Sequence, residues 1–587
     1  MAPDLPQQLR DLAERLAKPA PLDSGLRTLR TGLQTRLAND LLPRTAGGSE
    51  HLVVGIVGPN NAGKSALFNA LVGTLISPSI PTGGATRSLV GAMSPELMVN
   101  LEAAPKSLGL RLLRAKVGRN GIEEARELAA QPTDLWCVEV PNFAPGLLLV
   151  DTPDFDSIAQ ENRLASEALL RAVDLVLVVV TRHTYQNAEV VRFLERWLAH
   201  KKPWALVYNE SIDPNTTQKH AAKLGRDVGT QPLEVFMAEL DASIAKGQAE
   251  LRPRQSGGQS LQAWLEAGEE RERIKLHSMS SSMEQLRSEW KSLRSALQES
   301  LLTMESLEAE LTKWGVAVAQ EIAHEAMPMG PFLEAFRAVL DRRPGLLPRG
   351  YRGILGKTRG ALARGLNKLT WRNPPPLGTE ASTERPKALV EAERIALGRT
   401  WAKFYEGLIG ILDSSEHSQG EPAQALRALL GPAHLERAAS LASTRLEEND
   451  EALREFQLAC EERMETELDG RRDPWVLQAS IDAVHLLPAA VAGLVIVKTG
   501  GLGADIAVGG AGALSTLLAE RLSRLLGTGV AHAARKRWKQ MRAATLGPLL
   551  LESAMPEKWR QLGRDREALQ SFFVRLHKAA LFLESVQ

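Results

Sequence analysis

Gly58-Pro59-Asn60-Asn61-Ala62-Gly63-Lys64-Ser65 is the stretch on which the fold turns. It fits the pattern GxxxxGK[ST], follows the apolar run Leu52-Val53-Val54-Gly55-Ile56-Val57 directly, and opens the apolar-patterned segment Ser65-Ala66-Leu67-Phe68-Asn69-Ala70-Leu71-Val72. Strand, loop and helix in that order are the context such a loop requires. Its glycines let backbone N–H groups turn inward round phosphate oxygens, and the helix N-terminus adds its positive dipole end. Gly58, Asn60, Asn61, Ala62, Gly63, Lys64, Ser65 and Ala66 are therefore the expected phosphate-contacting residues. In that set Lys64 is the catalytic cation reaching the β and γ phosphates, and the Ser65 hydroxyl is a ligand for Mg2+.

A second element, Leu147-Leu148-Leu149-Val150-Asp151-Thr152-Pro153-Asp154, places Asp151 at the end of an apolar strand, where a carboxylate can hold the hydration shell of Mg2+. Between the two lies Pro81-Thr82-Gly83-Gly84-Ala85-Thr86-Arg87, whose two hydroxyls could close on a γ phosphate and its metal, or which could be a plain loop. Further apolar runs, Leu135-Trp136-Cys137-Val138-Glu139-Val140, Asp174-Leu175-Val176-Leu177-Val178-Val179-Val180 and Pro203-Trp204-Ala205-Leu206-Val207-Tyr208, alternate with helical segments up to about residue 245. That alternation predicts an α/β P-loop domain with a mainly parallel sheet.

Beyond Gln255-Ser256-Gly257-Gly258 the strand pattern gives way to helices, the clearest from about 283 to 323. Leu286, Trp290, Leu293, Leu297, Leu301, Met304, Leu307, Leu311, Trp314, Val318 and Ile322 step by three or four. One face of a helix of about 40 residues, roughly 60 Å long, accounts for them, as would a two-helix hairpin broken near Ser300. The fold class is thus an α/β nucleotide-binding domain followed by a long all-α stalk or bundle. Its expected parts are a helical leader over 1–49 packing on the bundle, the P-loop domain over 50–245, a stalk over 257–483, an apolar Gly/Ala-rich hairpin over 484–520 and C-terminal helices over 521–587.

With 587 residues, several domains and a large core are expected. The 71 Lys and Arg nearly cancel the 70 Asp and Glu, which argues against wholesale binding of nucleic acid. Cys137 and Cys460 allow no disulfide framework and sit in no metal-ligand pattern. The N-terminus lacks a basic region followed by an apolar run, so it does not read as a signal peptide, and a cytoplasmic location is expected.

The phosphate loop with its helix, Thr86-Arg87, Leu147 to Asp154, Asp174 to Val180 and Pro203 to Asn209 together resemble the TrmE-Era and dynamin-like branch of P-loop GTPases. The long interval from Ser65 to Asp151 and the helical stalk look more dynamin-like, and bacterial dynamin-like GTPases are the best match. The resemblance covers roughly a third of the chain. It implies GTP and GDP as ligands, hydrolysis with Mg2+, Thr86 as the switch threonine that is catalytic and metal-side, and Asn209 as the start of the base motif. It also implies a homodimer through the G domains. Asn61 matches a loop asparagine that supports K+ in some relatives. Two departures stand out. Asp154 replaces the usual glycine of DxxG, although its backbone N–H can still meet a γ phosphate. Where the family has NKxD, the chain reads Asn209-Glu210-Ser211-Ile212-Asp213, so Asp213 can read guanine only if the loop bulges. Arg182 and Gln186 are read as surface residues.

Residues 485–518 carry only Lys498 and Asp505 as fixed charges, and the first apolar arm, about 13 residues or roughly 20 Å of helix, falls short of a bilayer core of roughly 30 Å. A helical hairpin dipping into a membrane and a hairpin buried in the bundle both fit. From Arg342 to Arg372 nine basic residues meet no acidic one, as suits an anionic membrane surface, a solvated loop or an RNA contact. Peripheral attachment to the inner face of the cell membrane is the corresponding expectation. An Era-type GTPase acting in RNA or ribosome assembly and a nucleotide-gated interaction protein with little turnover are the alternatives.

Overall fold

The computed structural model describes residues 4–45, 51–77, 89–102, 111–115, 117–118, 121–122, 134–152, 170, 172–239, 252–328, 332, 335, 338–339, 342, 381–446, 450–469, 495–497, 506–508 and 528–584. They divide into two compact units, Met1–Gln298 with Leu569–Gln587, and Glu299–Ala568.

In the first unit the apolar runs form an eight-stranded sheet. Its strands are β1 (Leu52–Val57), β2 (Leu89–Met93), β3 (Arg111–Arg114), β6 (Asp134–Glu139), β7 (Leu147–Asp151), β8 (Leu175–Val180), β9 (Trp204–Ser211) and β10 (Val235–Glu239), with a two-stranded hairpin, β4 (Val117–Gly118) and β5 (Gly121–Ile122), beside them in sequence. The order is β10-β9-β8-β1-β7-β2-β6-β3. β10, β9, β8, β1 and β7 are parallel; β2 runs antiparallel to β7 and carries β6 and β3 parallel to itself. The interval between Ser65 and Asp151 thus supplies the strands of one sheet edge.

Strands buried on both faces read as continuous β-branched runs, and β8 is Leu-Val-Leu-Val-Val-Val with every residue buried. Leu52, Val54 and Ile56 of β1 enter one core with Phe68, Leu149, Phe236 and Trp264; Val53 and Val57 enter the other with Val150, Leu194, Trp197 and Leu224. Helices α4 (Lys64–Val72) and α8 (Leu261–Glu266) cover the first face, and α6 (Ala188–Leu198) and α7 (Pro214–Val228) the second.

The leader forms α1 (Leu5–Ala17), α2 (Ser24–Arg36), a π-helical turn (Leu37–Leu41) and α3 (Leu42–Thr45), in the same unit as the sheet. A buried ionic network joins them. Arg44 Nε donates to Asp40 Oδ1 at 2.7 Å, its Nη1 to Asp174 and to Ser278 Oγ, and its Nη2 to the Ala172 carbonyl at 3.2 Å. Asp174 Oδ2 accepts the Val53 N–H at 3.0 Å at the start of β1. Lys202 Nζ lies 4.0 Å from Asp40 and donates to the Leu170 and Val173 carbonyls. Burial pushes the Asp40 carboxyl up, but Lys202, Arg44, the Ser282 hydroxyl and Arg36 outweigh it and hold the group below its usual value of 3.8. A lowered folded-state value means that this stabilisation is complete above the ordinary carboxyl range and is lost as pH falls below it.

The apolar stripe lies on a single helix, α9 (Gly268–Glu325, 58 residues), with no break near Ser300. All its named positions are buried except Trp314, which is partly so. In the second unit α9 is followed by β11 (Ala326–Pro328), α10 (Ala381–Leu412), α11 (Glu421–Arg427), α12 (Pro432–Thr444), α13 (Asp450–Asp469), α14 (Thr528–Ala554) and α15 (Lys558–Glu584), the last returning to the first unit from Leu569. Arg542 and Glu393 form a two-bond buried ion pair, both contacts at 2.7 Å.

The described part of the apolar hairpin corrects the helical expectation. Val495–Val497 (β12) and Ile506–Val508 (β13) pair antiparallel, and β12 also pairs with β11, so these residues form a small sheet, and it packs against α10. Val-Ile-Val and Ile-Ala-Val are β-branched runs whose strand preference overrides the helical reading of the Gly/Ala-rich context. Of the basic stretch only Arg342 is described; it pairs with Glu461 at 2.6 Å and Glu465 at 3.1 Å. Positions 343–372 and the rest of 485–518 lie outside the described residues. Among those described, no helix is long and apolar enough to cross a membrane.

The Arg44 network yields a direct test. Arg44→Ala leaves Asp40 and Asp174 buried with fewer cations, so urea unfolding followed by tryptophan fluorescence should show a loss of about 3–5 kcal/mol. A loss under about 1 kcal/mol would show that the pair behaves like an exposed one.

Candidate nucleotide-binding site

Parallel strands deliver their C-terminal ends to one edge of the sheet, and ligands of open α/β sheets bind outside that edge. At the end of β1 the chain turns through Gly58 to Gly63 into α4. A Cβ on Gly58 would stand 2.4 Å from the Val179 carbonyl oxygen of β8, so no other residue fits there. Gly63 has φ 94°, a left-handed conformation natural to glycine, and Asn61 adopts φ 59° in the same loop. The side chains of Asn60 and Asn61 are exposed, Ala62 is buried, and Ala66 sits half-buried in the first turn of α4. Lys64 is buried at 6 % exposure, with Nζ donating to the Pro59 carbonyl at 3.1 Å across the loop.

Asp151, fully buried at the end of β7, is the polar centre of the site. Its Oδ2 accepts from Ser65 Oγ at 2.7 Å and from Ser77 Oγ at 2.6 Å, while Oδ1 has no hydrogen-bond partner. Burial pushes this carboxyl up; the Ser77 and Ser65 hydroxyls, the Lys64 charge and the Thr152 N–H pull the other way and do not cancel it. An orphaned buried carboxylate oxygen beside a serine hydroxyl is a hard-oxygen donor set, and it fits Mg2+, which keeps several waters and takes one or two protein ligands with substrate phosphates.

Ser77 carries no sequence signature and was not among the expected residues. It is set by Asn69 of α4, whose Oδ1 accepts the Ile76 and Ser77 N–H groups at 2.9 Å each and whose Nδ2 donates to the Ser77 carbonyl at 2.8 Å. This clamp fixes the chain entering the segment that holds Thr86. Thr86 and Asp154 themselves lie outside the described residues. Thr152 Oγ1 donates to the Ile56 carbonyl at 2.8 Å, binding the end of β7 to β1.

On the other side, Asn209 near the end of β9 donates from Nδ2 to the Ala62 carbonyl at 3.1 Å and accepts the Glu210 N–H at 2.9 Å. It thereby tethers the phosphate loop. The β9–β10 register moves from Tyr208↔Met237 to Ser211↔Glu239, three steps against two, and Glu210 takes φ 58°. One residue is therefore absorbed in a bulge at the position where the motif is one residue too long. Asp213 caps α7: Oδ1 accepts from Asn215 N at 3.3 Å, and Oδ2 from Thr216 N at 2.9 Å and Thr216 Oγ1 at 2.7 Å. The Thr216 hydroxyl, foremost among these bonds, holds the Asp213 carboxyl below its usual range. Tyr208 and His220 share a 2.7 Å hydrogen bond, and Tyr185 stacks on His220 at 4.0 Å, bracing the end of β9 against α7 and the loop after β8. Arg182 and Gln186 on that loop are exposed, as expected of surface residues.

Residues 53–210 match the family model described as 50S ribosome-binding GTPase. No curated protein matches the chain. Among solved structures it is similar to two of an oligomerised bacterial dynamin pair, described as providing a mechanism for long-range sensing and tethering of membranes. These have TM-scores of 0.34 and 0.32 and identities of 12% and 11%, with 100% and 99% of this chain and 96% and 95% of theirs covered. It is also similar to LeoA, a bacterial dynamin GTPase from ETEC, with a TM-score of 0.23, 14% identity, and coverage of 98% of this chain and 96% of that one. Taken with the phosphate loop, the Ser65–Asp151 bond and the Asn209 tether, the match over residues 53–210 identifies that part of the chain as a P-loop GTPase domain.

Proposed function

We propose that the chain is a dynamin-like GTPase that binds GTP with Mg2+, hydrolyses it, and passes the change in nucleotide state to its helical unit. The observation that carries this reading is the buried Asp151 carboxylate, one oxygen shared by Ser65 and Ser77 and the other without a partner. Ser65 Oγ and Asp151 would hold Mg2+, which would supply positive charge against the phosphate oxygens. Lys64 swings from the Pro59 carbonyl onto the same oxygens. Thr86 would close on the γ phosphate and the metal through its hydroxyl, and Asp154 on the γ phosphate alone through its backbone N–H. Catalysis in such a site is positioning and charge stabilisation, so no dedicated general base is required. K+ beside Asn61 would add a second cation.

Supporting the dynamin-like branch are the edge strands β2, β3 and β6 between the two phosphate motifs and the long helix that follows the sheet. Pairing of two G domains is the proposed trigger of fast hydrolysis, and residues 485–518 with 342–372 are the proposed contact with an anionic membrane. The family description favours a second reading, action on the 50S ribosomal subunit, which near-balanced charge does not support.

Three outcomes are expected. Lys64→Ala weakens GTP binding in calorimetry by roughly 10- to 100-fold with helical content intact, whereas Asp151→Ala removes the dependence of that affinity on Mg2+; unchanged titrations would end the site assignment. Unlabelled GTP displaces labelled GTP and ATP does not; equal displacement removes Asp213 from base reading. Wild type co-sediments with anionic liposomes and the Leu494→Asp, Ile496→Asp double variant, still folded, does not. If the double variant unfolds and wild type sediments in no nucleotide state, the hairpin is core, and co-sedimentation with 50S subunits becomes the deciding measurement.

A further inference from the structure

The turn after α10 holds three buried polar atoms that make no hydrogen bond. His417 is 1 % exposed, and neither Nδ1 nor Nε2 has a hydrogen-bond partner; Ser414 Oγ, three residues earlier, is likewise orphaned. The backbone fixes the ring's position, because His417 N donates to the Ser414 carbonyl at 3.2 Å and its own carbonyl accepts Gly420 N at 2.9 Å. A buried imidazole with no hydrogen bond to either nitrogen is costly, and in native proteins such a group generally marks a further partner such as a water or an ion.

Two carboxylates face this ring. Glu310 Oε2 of α9 lies 3.4 Å from Nε2, and one ligand atom each from Glu310, Glu416 and His417 lie within 4.8 Å of one another. Glu310 is one helical turn before Trp314, whose Nε1 donates to the Phe404 carbonyl of α10 at 2.9 Å, so the same face of α9 is held against α10 just before the turn. Neither glutamate has another ion-pair or hydrogen-bond partner among the described residues.

We propose that Glu310, Glu416 and His417 form a site for a borderline divalent cation, Zn2+ foremost, lying in the second unit and separate from the nucleotide site. One imidazole and two carboxylates neutralise a dication. The imidazole disfavours Mg2+ and Ca2+, which take oxygen, and suits Zn2+ and its neighbours in the transition series. Ligands about 2.0–2.1 Å from a tetrahedral Zn2+ stand about 3.3 Å apart. The Nε2–Oε2 separation of 3.4 Å already matches that edge, and the exposed glutamates need move only their chain ends to complete the set. Water takes the fourth position, and the bound ion ties the turn to α9.

The test uses the full chain, freed of metal by chelation and held in excess Mg2+-GDP so that hard-cation binding at Asp151 is saturated. Zn2+ is titrated against a chromophoric chelator, and Co2+ is added separately as a spectroscopic probe. Wild type is expected to bind one equivalent of Zn2+, to rise in melting temperature, and to give the visible absorption of low-coordinate Co2+. Glu310→Gln and Glu416→Gln, both surface changes that leave the fold intact, should weaken Zn2+ at least about tenfold, and His417→Ala should remove the Co2+ absorption. GDP affinity should be unchanged in all three. No stoichiometric Zn2+ uptake by wild type, or uptake undiminished in the two glutamate variants, would overturn the site, whatever the folding of His417→Ala.

Discussion

The phosphate loop works because its backbone is pressed against the strand next to it. Gly58 passes the Val179 carbonyl at a distance no side chain would allow, and Asn209 holds the Ala62 carbonyl further along the loop. Between those two points the backbone from Asn60 to Ser65 is held from outside the loop as well as within it, where the Ala62 N–H donates to the Pro59 carbonyl at 3.3 Å. The order of the strands follows from the same need: β1 must have β8 on one flank to supply the carbonyl wall and β7 on the other to bring Asp151 to Ser65.

Much of this was legible in the residues. The loop, Asp151 and the stripe from Leu286 to Ile322 each depend on a local spacing, and local spacings survive folding. Ser77 and Asn69 were not legible, because their role depends on a loop returning to its own helix and no periodicity marks it. Val495 to Val497 was misread as helix because small residues on either side carried a weaker preference than the β-branched run at its centre. The extra residue before Asp213 pointed to a bulge, and Glu210 makes it, yet nothing in the motif announced that the aspartate's own oxygens would be occupied by the first turn of α7.

The sheet is anchored at both ends by buried carboxylates of opposite disposition. Asp174 at the start of β8 is saturated by Arg44 and the Val53 N–H, whereas Asp151 at the end of β7 keeps an oxygen idle. A fully satisfied polar cluster rigidifies what it touches, and a partly satisfied one is poised to take a further partner. The two ends of one strand layer therefore differ in how far their buried carboxylates are satisfied.

Glu584 closes the base of the first unit. Its Oε1 accepts from Trp290 Nε1 at 3.2 Å and Arg294 Nη1 at 2.7 Å, across 294 and 290 residues of chain. Since long-range contacts form only after the intervening chain exists, the sheet can assemble early during synthesis while the surface round Trp290 waits for α15 to emerge. Until then the apolar face round Trp290 lacks this cover. This nascent interval is the stage at which the chain is most open to chaperones, or to pairing with another copy of itself.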